Sequence, residues 1–325
     1  MGTRQGDGVT GTSAEDGMTG THAVIDIGTN SVKMYVATVE DGRSDVLGDF
    51  TEVTRLGEEL HDTGRLGEES IKRTADTVVA FRAKAVEMGA GKIVAVGTMA
   101  LRSAENSETF TDAVRERCGL EIEVVSGEEE ARLSYLAVLS GLGTGEGRVI
   151  VFDTGGGSTE FIFGDGEEIK ERFSLDTGSR QPTEEFCTSD PVTEAELVDM
   201  VAFLDKEFDR LELGVDSLVG MGGTVTSLGA VHHKMKVYDP DVIQGSVLTL
   251  AEVERQVEMY RSKTIAERRE TVGLMPKRAD VILAGAAIVM TIMRKLGAAE
   301  LTVSDRGLRH GLFYDRFVRG GATPA

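Results

Sequence analysis

Hydrophobic and polar positions become regular from His22 onward. The runs "AVIDIG" and "VKMYVATVE" have strand length and are joined by the turn "GTNS", which predicts a strand pair. Over 68–88 the period changes. Ile71, Ala75, Val78, Phe81, Ala85 and Met88 recur at steps of three and four, one face of a helix that Gly89 stops. "KIVAVG" reads as a strand, Asn106 as the cap of a helix to about Cys118, "EIEVV" as a strand, and 127–140 as a helix. "RVIVFD" opens a second series with "STEFIFG" as its hairpin partner. A helix over 193–212 starts with Thr193 and Glu196 in a capping box. "SLVGMGG" reads as strand and glycine turn. Helices are expected at about 224–234, 250–262, 265–272 and 277–296, then the strand "ELTVS" and a helix from near Gly307. Alternating strands and helices place the chain in the α/β class.

The second series repeats the first. With Ala23–Val36 ("AVIDIGTNSVKMYV") laid on Ile150–Phe163 ("IVFDTGGGSTEFIF"), Asp26 falls on Asp153, Gly28 on Gly155, Ser31 on Ser158 and Lys33 on Glu160. Each copy is strand, D-x-G-x-x-S, strand. Two related domains follow, with the two turns able to face one another across a cleft. The division expected is a disordered tail over 1–20, a first domain over 21–143 and a second over 144–306. The terminal helix, 307–325, is placed to pack back on the first domain.

Composition narrows the partners. A formal charge of −20 argues against general binding to nucleic acid or anionic membranes. An anionic small substrate needs a local pocket of positive groups and backbone N–H. No apolar run reaches the length of a membrane span and the first residues lack a signal-peptide core, so a cytoplasmic location is expected. Cys118 and Cys187 lie far apart and read as two reduced thiols.

Turns without side chains let a ligand approach the backbone, where consecutive N–H groups can converge on phosphate oxygens. Gly28, Thr29, Asn30 and Ser31 form one such turn, and Gly155, Gly156, Gly157 and Ser158 the other. Asp26 and Asp153 end the preceding strands. A carboxylate beside phosphate calls for a cation between them, so Mg²⁺ is expected at Asp26 and Asp153, with Glu160 as a further metal-side group. The plain alternative is a pair of glycine-rich hairpins, against which the repetition counts. Gly222, Gly223 and Thr224 open a helix, a third anion-favouring point; a tight packing turn is its alternative. His232 and His233 lack a second ligand motif and read as a helix-end surface.

These turns and "GMGGTVTSLGAV" resemble the phosphate and nucleotide segments of the actin, sugar kinase and Hsp70 ATPase superfold. More narrowly, "VGTMALRSAEN", "VVSGEEEARLSYLAV", "LMPKRADVILAGAAIV" and "VSDRGLRHGLFYD" resemble the exopolyphosphatase and guanosine pentaphosphate phosphohydrolase (Ppx/GppA) family, in the order expected of it. The resemblance covers about residues 22–315. It implies two ribonuclease-H-like domains with an interdomain active-site cleft. It also implies Mg²⁺ (or Mn²⁺) and hydrolysis of terminal phosphate from inorganic polyphosphate or guanosine pentaphosphate. From the residues alone, Glu128, Glu129 and Glu130 are a solvated first helical turn, Glu129 completing a capping box with Ser126. The resemblance assigns Glu130 as general base on the attacking water and Arg102 as a phosphate ligand. Arg55, Arg268, Arg269, Lys277, Arg278, Arg306 and Arg309 are basic candidates without individual roles. Many relatives carry a further helical domain resembling HD phosphohydrolases; this sequence resembles the short two-domain members, for which a homodimer is expected. His310 stands where relatives commonly have Glu. A phosphate-binding regulatory protein without turnover is the alternative of another class, and a sugar or acyl kinase a weaker one. Removing residues 1–20 is expected to leave turnover unchanged.

Overall fold

The computed structural model describes residues 18–143, 147–166 and 168–319. The chain divides into two units, one of Met1–Val124 with Phe313–Ala325 and the other of Val125–Leu312. Most of the tail expected over 1–20 lies outside the described residues, but Gly20 already pairs with Val39 in the first sheet.

The first unit holds β1 (Gly20–Ile27), β2 (Ser31–Glu40), β3 (Arg43–Val53), β4 (Lys92–Gly97) and β5 (Ile122–Val124), in the order β3-β2-β1-β4-β5. β1, β2 and β3 form an antiparallel meander, and β4 and β5 continue parallel to β1. The helix Glu68–Glu87 covers the sheet with Ile71, Ala75, Val78, Phe81 and Ala85, packed with Ile25, Ile27, Val32 and Met34. Gly89, at φ +87°, ends it where only glycine is unstrained. Asn106 does precede the helix Ser107–Cys118, but its side chain makes no cap bond. It joins two segments instead: its Oδ1 accepts from the Leu66 N–H at 2.8 Å and its Nδ2 donates to the Leu66 carbonyl at 3.0 Å. From the C-terminal segment, Phe317 stacks on His22 at 4.4 Å and Phe313 meets the edge of Tyr35 at 5.1 Å.

In the second unit β6 (Arg148–Thr154), β7 (Thr159–Asp165), β8 (Glu168–Leu175), β9 (Ser217–Met221), β10 (Val247–Thr249) and β11 (Glu300–Val303) take the order β10-β11-β9-β6-β7-β8. Read from β8, this is the first sheet's order and orientation, with β10 added antiparallel at the edge. The halves share finer detail. The β2/β3 register shifts between Val36 and Ala37, and the β7/β8 register between Phe163 and Gly164. Both positions coincide in the sequence repeat.

Three expected boundaries move. The helix Gly127–Leu142 belongs to the second unit, not to a first domain ending at 143, because Tyr135, Val138 and Leu139 share a core with Val149, Val151 and Ile162. The helix expected over 193–212 ends at Glu207. Phe208 and Leu211 stay buried through a turn that keeps helical spacing, the Leu211 N–H donating to the Phe208 carbonyl at 3.0 Å. The helix expected over 277–296 is a 3₁₀ turn at Pro276–Arg278 and then Ile282–Leu296, buried on nearly every side.

Candidate active site

The second-unit turn follows β6 at its carboxyl end. The Gly155 N–H donates to the Ser158 carbonyl at 2.9 Å, matching Gly28 N–H to the Ser31 carbonyl at 3.0 Å in the first unit. Both turns are held from behind by the segment after the third strand. In the second unit the N–H groups of Ser179 and Arg180 donate to the carbonyls of Gly155 and Gly156, at 3.0 and 2.9 Å. In the first, Thr54 and Arg55 N–H donate to the Asn30 carbonyl at 3.0 and 2.9 Å, and Gly57 N–H to the Thr29 carbonyl at 2.9 Å. With their carbonyls so engaged, Gly155, Gly156 and Gly157 are exposed, and a Cβ on Gly156 or Gly157 would meet no atom within 4 Å. Such a bare, braced backbone suits an anion.

Cross-strand pairing sets the carboxylates. Asp153 on β6 is opposite Glu160 on β7, so both project from the same sheet face. Glu160 is half-buried and its Oε1 accepts from Ser158 Oγ at 2.6 Å and Ser174 Oγ at 3.0 Å. Burial raises its carboxyl to about 7, with Asp153 and Glu130 pushing the same way and the two serines opposing. Three acids thus share one neighbourhood. In the first unit the corresponding pair is Asp26 and Lys33, an acid opposite a base, and Asp26 is buried.

The three glutamates of the helix Gly127–Leu142 separate by partner. Glu128 pairs with Arg172. Glu129 N–H donates to Ser126 Oγ at 3.1 Å, the first half of the expected capping box. Its carboxylate, however, goes to Arg132 at 2.7 and 2.8 Å. Glu130 is half-buried, and its charge reaches Glu160. Two observations fix the far end of this helix and its middle. Arg306 Nη1 donates to the Ser140 carbonyl at 3.0 Å, and Gly311 lies so close that a Cβ would sit 1.8 Å from the Leu133 carbonyl oxygen.

β9 runs parallel to β6, Met221 beside Asp153, and leads into the helix Gly222–His232. Gly222 has φ +85°, and a Cβ there would stand 2.1 Å from Asp153 Oδ1; no other residue fits. A Cβ on Gly223 would meet Arg278 Nη2 at 1.8 Å, so the guanidinium covers the helix N-terminus. Asp153 charge also acts on Arg278, whose burial lowers its pKa. Thr224 is buried in the first turn.

Arg278 was one basic candidate among many in the sequence, and the fold selects it. Arg268 is 1% exposed, with Nε on the Tyr260 carbonyl at 2.6 Å, and Arg306 serves a helix end, so both act as struts. Arg102 is exposed on the helix Met99–Ser103, after β4 and thus at the same sheet edge as the Gly28–Ser31 turn. Arg55 is held at φ +51° beneath that turn by its own N–H. His232 is exposed and lies 3.4 Å from Glu252. His310 Nδ1 accepts from the Gly307 N–H at 3.0 Å. That is the bond a Glu three residues into a helix makes to its cap, so the histidine replaces glutamate in kind.

Among the described residues no three His, Cys, Asp or Glu are grouped so that they could hold a metal ion. The acids present still fit magnesium, which is commonly held by one or two carboxylates with water and substrate phosphate completing its shell. Asp153 and Glu160, opposite one another on β6 and β7, are the two carboxylates so placed.

A duplicated α/β unit with an acid and a glycine-containing turn at the carboxyl edge of each sheet defines a protein of the actin-like ATPase fold. A nucleoside triphosphate hydrolase of Neospora caninum shares this fold, with a TM-score of 0.54 at 11% identity. The chain belongs to the Ppx/GppA phosphatase family, whose model matches residues 35–319. It is similar to a crystal structure of the Aquifex aeolicus Ppx/GppA family member, at 35% identity and a TM-score of 0.86, covering 94% of this chain and 100% of that one. It is 32% identical to Exopolyphosphatase 2 of Mycobacterium tuberculosis over 89% of this chain and 96% of the relative. It is also 29% identical to a guanosine-5'-triphosphate,3'-diphosphate pyrophosphatase of Photobacterium profundum, over 90% of this chain and 59% of the relative. A bifunctional 3-dehydroquinate synthase/phosphatase of Fusobacterium nucleatum is matched over 44% of its length at 31% identity.

Proposed function

We propose that this protein hydrolyses the terminal phosphoanhydride of inorganic polyphosphate and releases orthophosphate. The observation that carries the reading is the half-buried Glu130 beside Glu160 and Asp153, next to a glycine turn braced from behind. Glu130 takes a proton from water as its oxygen attacks the terminal phosphorus. The bond from that phosphorus to its bridging oxygen breaks, and the shortened chain leaves as a phosphate anion. Gly155, Gly156, Gly157 and Ser158, the helix start at Gly222, Gly223 and Thr224, and Arg278 hold phosphoryl oxygens. Gly28, Thr29, Asn30, Ser31 and Arg102 do so in the first unit.

Asp153 and Glu160 would hold a magnesium or manganese ion, and Asp26 occupies the matching strand end of the other repeat. When bound, the ion neutralises phosphoryl charge. Guanosine pentaphosphate offers the same terminal group and is the second reading, supported by the named activity of the Photobacterium relative.

Orthophosphate release from long-chain polyphosphate with Mg²⁺ tests this. Glu130→Gln is expected to lower kcat by roughly a hundredfold or more, the size of a general-base contribution, with KM little changed. Equal rates would remove Glu130 from the mechanism. Binding of phosphate compounds without any release would favour a regulatory binding protein.

A further inference from the structure

Beside the helix that starts at Gly222, one aromatic side chain is displayed rather than buried. Tyr238 keeps 46% of its surface exposed, between Val237 at 83% and a short helix, Pro240–Ile243, carrying the exposed Val242. Its orientation is fixed from the hydroxyl end. The hydroxyl donates to the Asp305 carboxylate. Asp305 follows Ser304, whose N–H donates to the Gly220 carbonyl at 2.8 Å, two residues before the Gly222–His232 helix begins. The segment beyond the ring is pinned as well. Asp305 N–H donates to Gln244 Oε1 at 2.8 Å, and Gly245 N–H to the Val303 carbonyl at 2.9 Å. Arg278, whose guanidinium covers Gly223, is close enough to interact with Tyr238, as is Arg309.

A fixed, exposed ring is therefore set beside the phosphate-accepting helix start and its arginine. An inorganic polyphosphate has no use for it, because the face of an aromatic ring carries partial negative charge and does not attract an anion. A substrate that carries its own aromatic ring does, since base-on-ring stacking is favourable and tolerant of sequence. Pre-orientation by Asp305 lowers the entropy lost on binding.

We propose that Tyr238 is a stacking seat for a purine base, so that this site takes purine nucleoside polyphosphates, guanosine pentaphosphate among them, beside inorganic polyphosphate. The inference rests on the phosphohydrolase reading of the same site and names a specificity-determining residue for it.

Steady-state kinetics on guanosine pentaphosphate and on long-chain polyphosphate, with thermal melts to establish folding, test it in wild type, Tyr238→Ala and Tyr238→Phe. Tyr238→Ala is expected to raise KM for guanosine pentaphosphate about tenfold or more with kcat little changed. KM for polyphosphate should stay within about twofold of wild type, because the ring plays no part there. Tyr238→Phe keeps the ring but loses the Asp305 bond that orients it, so its KM for guanosine pentaphosphate should lie closer to wild type than to Tyr238→Ala, with polyphosphate unchanged. Equal losses on both substrates, no loss on either, or Tyr238→Phe as damaging as Tyr238→Ala would overturn the inference. Wild type that cleaves polyphosphate but neither binds nor cleaves guanosine pentaphosphate would overturn it while leaving the proposed function standing. Should neither be cleaved, the proposed function fails. Equilibrium binding of guanosine pentaphosphate then decides on Tyr238: weakened more by Tyr238→Ala than by Tyr238→Phe supports the seat, and equal or absent binding sinks it.

Discussion

Gly178 has no ionisable group and touches no substrate, yet it bears on the site through shape. A Cβ there would lie 2.5 Å from the Gly156 carbonyl carbon and 2.6 Å from the Gly157 nitrogen. The glycine turn cannot keep its place above an alanine. Since displacements near 1 Å can cost about a hundredfold in rate, Gly178→Ala should lower kcat/KM by roughly ten- to a hundredfold. Its melting temperature should change little, because the affected turn is exposed; retained activity would show that the turn does not position substrate. Part of the candidate site was legible in the sequence for a physical reason. The D-x-G turns announced themselves by interrupting apolar strands twice at one spacing, whereas Glu130 read as part of a solvated helical turn until the family resemblance singled it out. Arg278 was not legible, because it stands among other basic residues more than fifty positions from Gly223 and only the fold returns it. Gly178, too, carries no signal of its own, since its contact is with backbone.

Helices were read well where one face is apolar, as over Glu68–Glu87. β3 escaped the sequence reading because Arg43–Val53 is exposed almost throughout and shows no alternation. The helix Leu250–Arg261 illustrates how an element is tied down. Glu252 accepts from Arg255 at 2.7 Å through both oxygens and from Gln256 Nε2 at 2.8 Å, while Gln256 bonds the Leu228 carbonyl of the neighbouring helix at 2.9 Å. Hydrogen bonding by Arg255, then Gln256, holds the Glu252 carboxyl at about 2 against the opposing effect of burial. A depressed carboxylate stabilises the fold above its unfolded pKa, and that stability is lost as pH falls through the folded value. Glu252→Gln should therefore cost about 1–2 kcal/mol at pH 7, discounted for partial solvent screening. The difference from wild type should shrink between about pH 4.5 and 2 in denaturant titrations. A difference that persists undiminished at pH 2 would assign the loss to packing instead.

At the scale of the molecule, the proposed function asks a chain of net charge −20 to admit a polyanion. Among the described residues no helix is long and apolar enough to cross a membrane. Long-range repulsion slows encounter and is screened within about 8 Å at physiological ionic strength. Raising KCl from about 50 to 300 mM at fixed free Mg²⁺ should thus raise kcat/KM for polyphosphate by roughly two- to fivefold. A fall would mean that the local cations, Arg278 and Arg102 among them, govern capture.

The register slip at Val36/Ala37 and again at Phe163/Gly164 carries a consequence of its own. Neither turn lies at the slip, and a bulge forfeits regular pairing, so chemistry gives no reason to make it twice. The two halves therefore share a local irregularity as well as a strand order. Lys33 and Glu160 occupy one position of the repeat and carry opposite signs. In the first unit the acid faces a base across the strand; in the second two acids stand face to face, without that local neutrality.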